Sequence, residues 1–131
     1  FEEFYLPAYK KVYGYYKEHG VELIVHHSDS YAATLVPYMI EMGIDIWQGC
    51  IPTNDLPDLI EKYGDKITFW GGISTQKTLP YGTPDEVAAE TRAVADYLGK
   101  NGGFITAPAQ EIQADVPFEN LCALIDTANA L

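Results

Sequence analysis

Two adjacent histidines, a serine and an aspartate follow a short, mostly apolar run near the start of the chain. The run is Val21–Val25, and the polar residues are His26, His27, Ser28 and Asp29. Imidazole nitrogen and carboxylate oxygen are both ligands for divalent metals, and zinc best suits a mixed set of nitrogen, oxygen and sulfur donors. If these residues end a buried parallel strand, they stand at the rim of an α/β fold, where binding and catalytic groups collect.

The same pattern occurs three more times downstream, where polar or small residues again follow a short apolar run. The carboxyl ends of parallel strands meet at one edge of a sheet, so we expect these residues to share one rim. A zinc ion there would polarise a substrate oxygen or hold a thiol as thiolate. The predicted metal ligands are His27, Asp29 and Glu111, with Cys50 as an additional candidate, and the predicted substrate-binding residues are Gly72, Ser74 and Gln110.

Each predicted ligand also has an ordinary structural explanation. His27 could be a hydrogen-bonded end of a strand, and Asp29 could cap the next helix or form an Asx turn. Cys50 could be a small buried hydrophobic residue, and Glu111 a solvated loop carboxylate. His27 and Asp29 are two residues apart, so a strand would place both on one face, and His26 would then face the helices.

Strands alternate with helices along the whole chain. The capping box Thr83-Pro84-Asp85-Glu86 is the clearest local signal, and Thr53-Asn54-Asp55 is expected to cap the third helix. The alternation predicts an α/β fold of four βα units around a parallel sheet. The predicted strands cover residues 22–25, 44–47, 67–70 and 103–107, and the predicted helices cover 4–18, 33–42, 56–63, 84–98 and about 117 to the C-terminus.

Length and charge limit the architecture and the partners. The 131 residues form one predicted domain, 1–131, which is either a small open sheet or half of a (β/α)8 barrel of about 250 residues. A net charge of -11 argues against nucleic acid as a partner. No apolar run approaches the ~20 residues that cross a membrane. Two cysteines outside any paired motif predict a cytoplasmic location.

Five segments, spread over nearly the whole chain, form a recognisable series in their order and spacing. They are residues 1–17, 27–30, 63–73, 82–87 and 117–121. Together they resemble the C-terminal half of the uroporphyrinogen decarboxylase superfamily, which includes the decarboxylases of haem synthesis and the cobamide-dependent methyltransferases of anaerobes. His27-Ser28-Asp29-Ser30 stands where methyltransferase members carry a His-x-Cys-Gly zinc motif.

The resemblance implies a barrel in which this chain supplies strands five to eight. It also implies a corrinoid-linked methyltransferase with zinc at the C-terminal rim, a corrinoid protein as partner and a small methyl donor or acceptor as substrate. His27 takes the place of the zinc histidine, Asp29 that of the first zinc cysteine, and Gln110 lies near the second. Glu111 would then substitute as a ligand. An oxygen-rich site weakens a thiol-activating role and favours members that act on methoxy or methylamine-like donors, or on another substrate.

Two other functions stay open. One is uroporphyrinogen decarboxylase in the strict sense, a metal-free carboxy-lyase of tetrapyrrole biosynthesis. The single arginine, Arg92, argues against it, because polycarboxylate substrates are bound by arginines. The other is an inactive half-barrel that serves as a folding or assembly unit. A half-barrel leaves two strand edges and an apolar flank uncovered, and therefore predicts a homo-oligomer.

Overall fold

Four parallel strands form one sheet in the computed structural model of this chain, which describes residues 1–100 and 102–131. They are β1 (Val25–His27), β2 (Ile46–Cys50), β3 (Thr68–Ile73) and β4 (Phe104–Pro108). Their spatial order is their order in the sequence. A doubly wound open sheet reverses its strand order at a switch point. The predicted α/β fold is therefore confirmed, and the unbroken order is that of consecutive barrel strands.

All five predicted helices are present, and the second begins with a 3-10 turn at Ala33–Leu35. The predicted capping box is confirmed, since Thr83 Oγ1 accepts a hydrogen bond from the Glu86 N–H and Glu86 Oε2 accepts one from the Thr83 N–H. The predicted cap of the third helix is wrong, because Asp55 precedes it with no side-chain cap bond. The α-helices of the described residues are α1 (Tyr5–Glu18), α2 (Val36–Glu41), α3 (Leu56–Tyr63), α4 (Thr78–Tyr81, not predicted), α5 (Pro84–Leu98) and α6 (Phe118–Asn129), and a second 3-10 turn covers Pro52–Asn54.

The strands end later than the apolar runs predicted. β1 contains His26 and His27, β2 continues through Cys50, and β3 continues to Ile73. Pairing between neighbouring backbones extends these strands, as where His27 pairs with Gln48 across β1 and β2. Both histidines are therefore strand residues, and the alternation of the strand decides which face each one occupies.

The helices cover one face of the sheet. Trp47 and Phe69 point into this layer, where both are fully buried with ring centroids 5.7 Å apart. On the opposite face, Val25 is 49% exposed and Ile105 is 40% exposed. His27 shares this open face because it lies two residues beyond Val25. None of the helices in residues 1–100 and 102–131 combines the length and apolarity needed to span a lipid bilayer.

Candidate functional site

β1 places its two histidines on opposite faces of the sheet, as predicted. His26 faces the helices, where its Nδ1 lies 2.8 Å from the Tyr13 hydroxyl and its ring meets Tyr9 edge-on. Burial lowers the pKa of His26, and the neighbouring His27 lowers it further. Burial also raises the pKa of the Tyr13 hydroxyl. His27, by contrast, has a side chain that is 51% exposed on the open face.

β2 holds the ring of His27 in place. Gln48 pairs with His27 in the strand register, and its Oε1 lies 2.5 Å from His27 Nδ1. The ring packs against the backbone at Gly49, where φ is +90° and an added Cβ would lie 3.1 Å from the His27 Cε1 atom. The other ring nitrogen, Nε2, lies 4.0 Å from Asp29 Oδ1. This distance is too long for a hydrogen bond but places two potential metal ligands side by side.

Asp29 connects the loops that follow the two edge strands of the sheet. Its Oδ2 accepts a hydrogen bond from Nε2 of Gln110, which follows β4. Gln110 Oε1 accepts in turn from the Glu111 N–H at 2.9 Å. β1 and β4 lie at opposite edges of the sheet, so the bond between Asp29 and Gln110 requires that the loops after these strands approach one another. The structure thus brings Asp29 and Gln110 to one rim, as predicted.

The predicted metal ligand set is only partly assembled. Within the part of the chain that the structure describes, no three His, Cys, Asp or Glu side chains lie close enough to hold one metal ion. Glu111 is exposed, and its Oε2 accepts a hydrogen bond from Gln113 Nε2 at 3.3 Å. The expectation that Glu111 joins His27 and Asp29 is therefore not met in this structure. The Glu111 side chain bonds within its own loop, and the sequence pattern did not predict the path of that loop.

Cys50 lies in the buried core. Its side chain is fully buried, and its thiol donates a hydrogen bond to the Trp47 carbonyl oxygen at 3.1 Å. Burial raises the pKa of the Cys50 thiol to about 12. The burial of Cys50 agrees with the alternative of a small buried hydrophobic residue. Its candidacy as a metal ligand stays a prediction.

The end of β3 contributes two of the predicted substrate-binding residues. Ser74 lines a cavity of about 160 Å³ between the loops after β2 and β3. Its N–H donates to Glu90 Oε1 at 3.0 Å, and its Oγ accepts from the Lys77 N–H at 3.1 Å. Gly72 is buried, and an added Cβ would lie 2.8 Å from Val94 Cγ1 of α5. Close packing of α5 on the sheet therefore accounts for a glycine at this position.

Two residues that were not predicted to belong to the site, Gln48 and Asn54, support it. Asn54 is fully buried, and its Oδ1 accepts hydrogen bonds from the N–H groups of Ala32 at 2.8 Å and Ala33 at 3.1 Å. Its Nδ2 donates to the Ser30 carbonyl oxygen at 3.0 Å. Asn54 thereby joins the loop after β1 to the loop after β2. Gln48 could have been identified from the sequence, because it is a polar residue within an apolar run. Asn54 carries no such signal, because its neighbours in the sequence are also polar.

Comparison with known proteins covers the whole chain. The family model described as uroporphyrinogen decarboxylase (URO-D) matches residues 1–131. Among solved structures, a methyltransferase from Methanosarcina mazei is similar with a TM-score of 0.79 and 20% identity, over 99% of this chain and 36% of that protein. At this identity the likeness concerns the fold, and the chain spans little more than a third of the methyltransferase. No curated protein sequence matches significantly.

Proposed function

The chain belongs to the uroporphyrinogen decarboxylase family, and we propose that it forms the His27-bearing part of the active site of a corrinoid-linked methyltransferase. The pairing of His27 with Asp29 on the open face, at the carboxyl end of β1, supports this proposal. Barrel enzymes place their active sites at this end of the strands. The chain spans 36% of the methyltransferase to which it is similar, so the activity is proposed for the complete protein.

Zinc is the proposed metal, and His27 and Asp29 are its proposed ligands. Nε2 of His27 and the carboxylate of Asp29 are donors that zinc accepts, and they are 4.0 Å apart. A catalytic zinc takes three protein ligands, so a third must come from outside this pair. When bound, zinc would act as a Lewis acid on the oxygen or nitrogen of the methyl donor.

The neighbouring residues would orient the ligands and limit the substrate. Gln110 holds the Asp29 carboxylate by a hydrogen bond from its amide nitrogen, and so restricts its rotation. The cavity beside Ser74, of about 160 Å³, is smaller than the roughly 300–1,000 Å³ that drug-sized ligands occupy. A cavity of this size would admit a donor such as methanol or methylamine. The corrinoid, which is far larger, would be presented by a partner protein at the rim formed by the carboxyl ends of the strands.

Zinc binding by the metal-free protein tests the ligand assignment. We expect the wild-type protein to bind zinc. Loss of a residue that only hydrogen-bonds to a metal ligand typically lowers the metal affinity roughly 10–100-fold. His27→Ala and Asp29→Asn remove the proposed ligands themselves, so we expect each to lower the zinc affinity by more than that. His19→Ala is the matched control, because His19 is exposed and stacks on Tyr15 at the end of α1. Absence of binding, or binding that survives both ligand substitutions, would contradict the assignment.

Methylation of cob(I)alamin tests the reaction. The complete protein, loaded with zinc, is expected to transfer a methyl group from methanol or methylammonium to cob(I)alamin. The electron pair of Co(I) forms the new Co–C bond, and the C–O or C–N bond breaks to release water, with uptake of one proton, or ammonia. The loss of the cob(I)alamin absorption band reports the transfer. Asp29→Asn is expected to abolish it. A zinc-loaded protein that is inactive with both donors would contradict the proposed reaction.

The decarboxylase alternative is favoured by the description of the matching family model. It predicts that the complete protein converts uroporphyrinogen to coproporphyrinogen without added metal. This chain offers little for binding a polycarboxylate, because its single arginine, Arg92, lies exposed on helix α5. Formation of coproporphyrinogen by a metal-free preparation would establish the decarboxylase in place of the methyltransferase.

Self-association stays a prediction that the open sheet face supports. Val25 and Ile105 expose apolar side chains on this face, and β1 and β4 are the edge strands of the sheet. Pairing of edges or covering of the face by a second copy would bury both features. Light scattering at micromolar concentration is expected to show a dimer or a larger species. A monomer that unfolds cooperatively would contradict this expectation.

A further inference from the structure

We infer that Gln48 is a positioning residue for His27, whose amide oxygen accepts the Nδ1 proton and leaves Nε2 with a free lone pair. The inference rests on the proposed role of His27 in the active site. The sheet itself brings the two side chains together, because His27 and Gln48 are partners in the parallel register of β1 and β2. Partners in adjacent strands project from the same face of a sheet, here the open face.

The geometry around the ring supports a fixed orientation. Nδ1 of His27 lies 2.5 Å from Gln48 Oε1, so the two atoms are in hydrogen-bond contact. The backbone of Gly49 lies against the same side of the ring, where an added Cβ would be 3.2 Å from Nδ1. A side chain at position 49 would therefore push the imidazole away from Gln48. Gly49 and Gln48 together therefore fix the orientation of the His27 ring.

The partners of the two ring nitrogens decide where the proton resides. A neutral imidazole carries one proton, so one nitrogen donates and the other accepts. The amide oxygen of Gln48 requires a donor and thereby selects the form protonated on Nδ1. Asp29 Oδ1, at 4.0 Å from Nε2, is too distant to hold a proton there. His26 differs, because its Nδ1 meets the Tyr13 hydroxyl, which can either donate or accept.

This selection has a chemical consequence for the proposed site. A lone pair on Nε2 can bind a metal ion or accept a proton, whereas an N–H group can do neither. A hydrogen bond to the other ring nitrogen also fixes the ring and raises the basicity of the ligand. Gln48 would therefore contribute to function without touching the metal or the substrate.

Nitrogen-15 NMR of the metal-free protein, with labelled histidine, tests the inference. Long-range proton–nitrogen correlations show which ring nitrogen is protonated, and His27→Ala assigns the signals. In its neutral form, the wild-type His27 ring is expected to be protonated on Nδ1. Gln48→Met is expected to lower the ratio of the Nδ1–H to the Nε2–H form about fivefold, which corresponds to loss of one neutral hydrogen bond of about 1 kcal/mol.

Gln48→Glu keeps an acceptor oxygen, and because a carboxylate accepts a hydrogen bond more strongly than an amide oxygen, it is expected to raise the ratio above that of the wild type. Gln76→Met, at an exposed position, is the matched control. A wild-type His27 protonated on Nε2 would overturn the inference, and so would a ratio that Gln48→Met leaves unchanged. The wild-type spectrum alone decides the question if Gln48→Met does not fold. Zinc is absent from this experiment, so its result is separate from that of the zinc titration.

Discussion

Replacing Asn54 with alanine removes the side chain that joins the loops after β1 and β2. Three backbone groups then lose their partners, namely the N–H groups of Ala32 and Ala33 and the carbonyl of Ser30. Ala32 is fully buried, and a buried polar group without a partner costs about 1–3 kcal/mol. The other two bonds are partly buried, and each contributes about 0.5 kcal/mol. We therefore expect Asn54→Ala to lower the free energy of unfolding by about 3 kcal/mol.

Equilibrium unfolding in urea measures this loss. The midpoint is expected to fall while the slope stays constant, because the surface exposed on unfolding does not change. Asn129→Ala, at the exposed end of α6, is the matched control and is expected to change stability by less than about 0.5 kcal/mol. A loss below about 1 kcal/mol in Asn54→Ala would refute the reasoning, because water or loop movement would then satisfy the three groups.

Gly72→Ala is expected to lower the free energy of unfolding by about 2–4 kcal/mol. Gly72 has a φ of +94°, which strains any other residue, and an added Cβ would lie 2.8 Å from a side-chain carbon of α5. Gly14→Ala, in open space within α1, is expected to raise it by about 0.5–1 kcal/mol, and equal effects of the two substitutions in urea unfolding would contradict the packing argument. Iodoacetamide at mildly alkaline pH is expected to modify the partly exposed Cys122 and to spare the buried Cys50 until the protein unfolds. Burial and the raised pKa protect Cys50, and peptide mass spectrometry that found equal native labelling would contradict that protection.

Local patterns in the sequence were sufficient for the fold class. The alternation of apolar runs with helical segments predicted four βα units, and the structure contains them. The capping box at Thr83 and Glu86 was predicted because its bonds join residues three positions apart. The opposite directions of His26 and His27 were also predicted, because side chains alternate along any strand.

Boundaries and caps were less accurate where distant residues decide them. β2 was predicted to end at residue 47 but continues through Cys50, because its backbone pairs with the neighbouring strands. Asn54 was expected to help cap α3 but bonds instead to the loop after β1. In both cases the competing partner lies about twenty residues away in the sequence, beyond the reach of a local pattern.

The sequence by itself determined that His27 and Asp29 stand at the end of the first strand, since local alternation and the start of the next helix suffice to place them. Only the tertiary structure decided what surrounds them. The register of β1 against β2 set Gln48 beside His27, and the approach of the loops after β1 and β4 brought Gln110 to Asp29 across 81 positions of sequence. Packing of the helices on the other face buried Cys50. Register, sheet shape and burial depend on the whole chain at once, so no single segment could specify them.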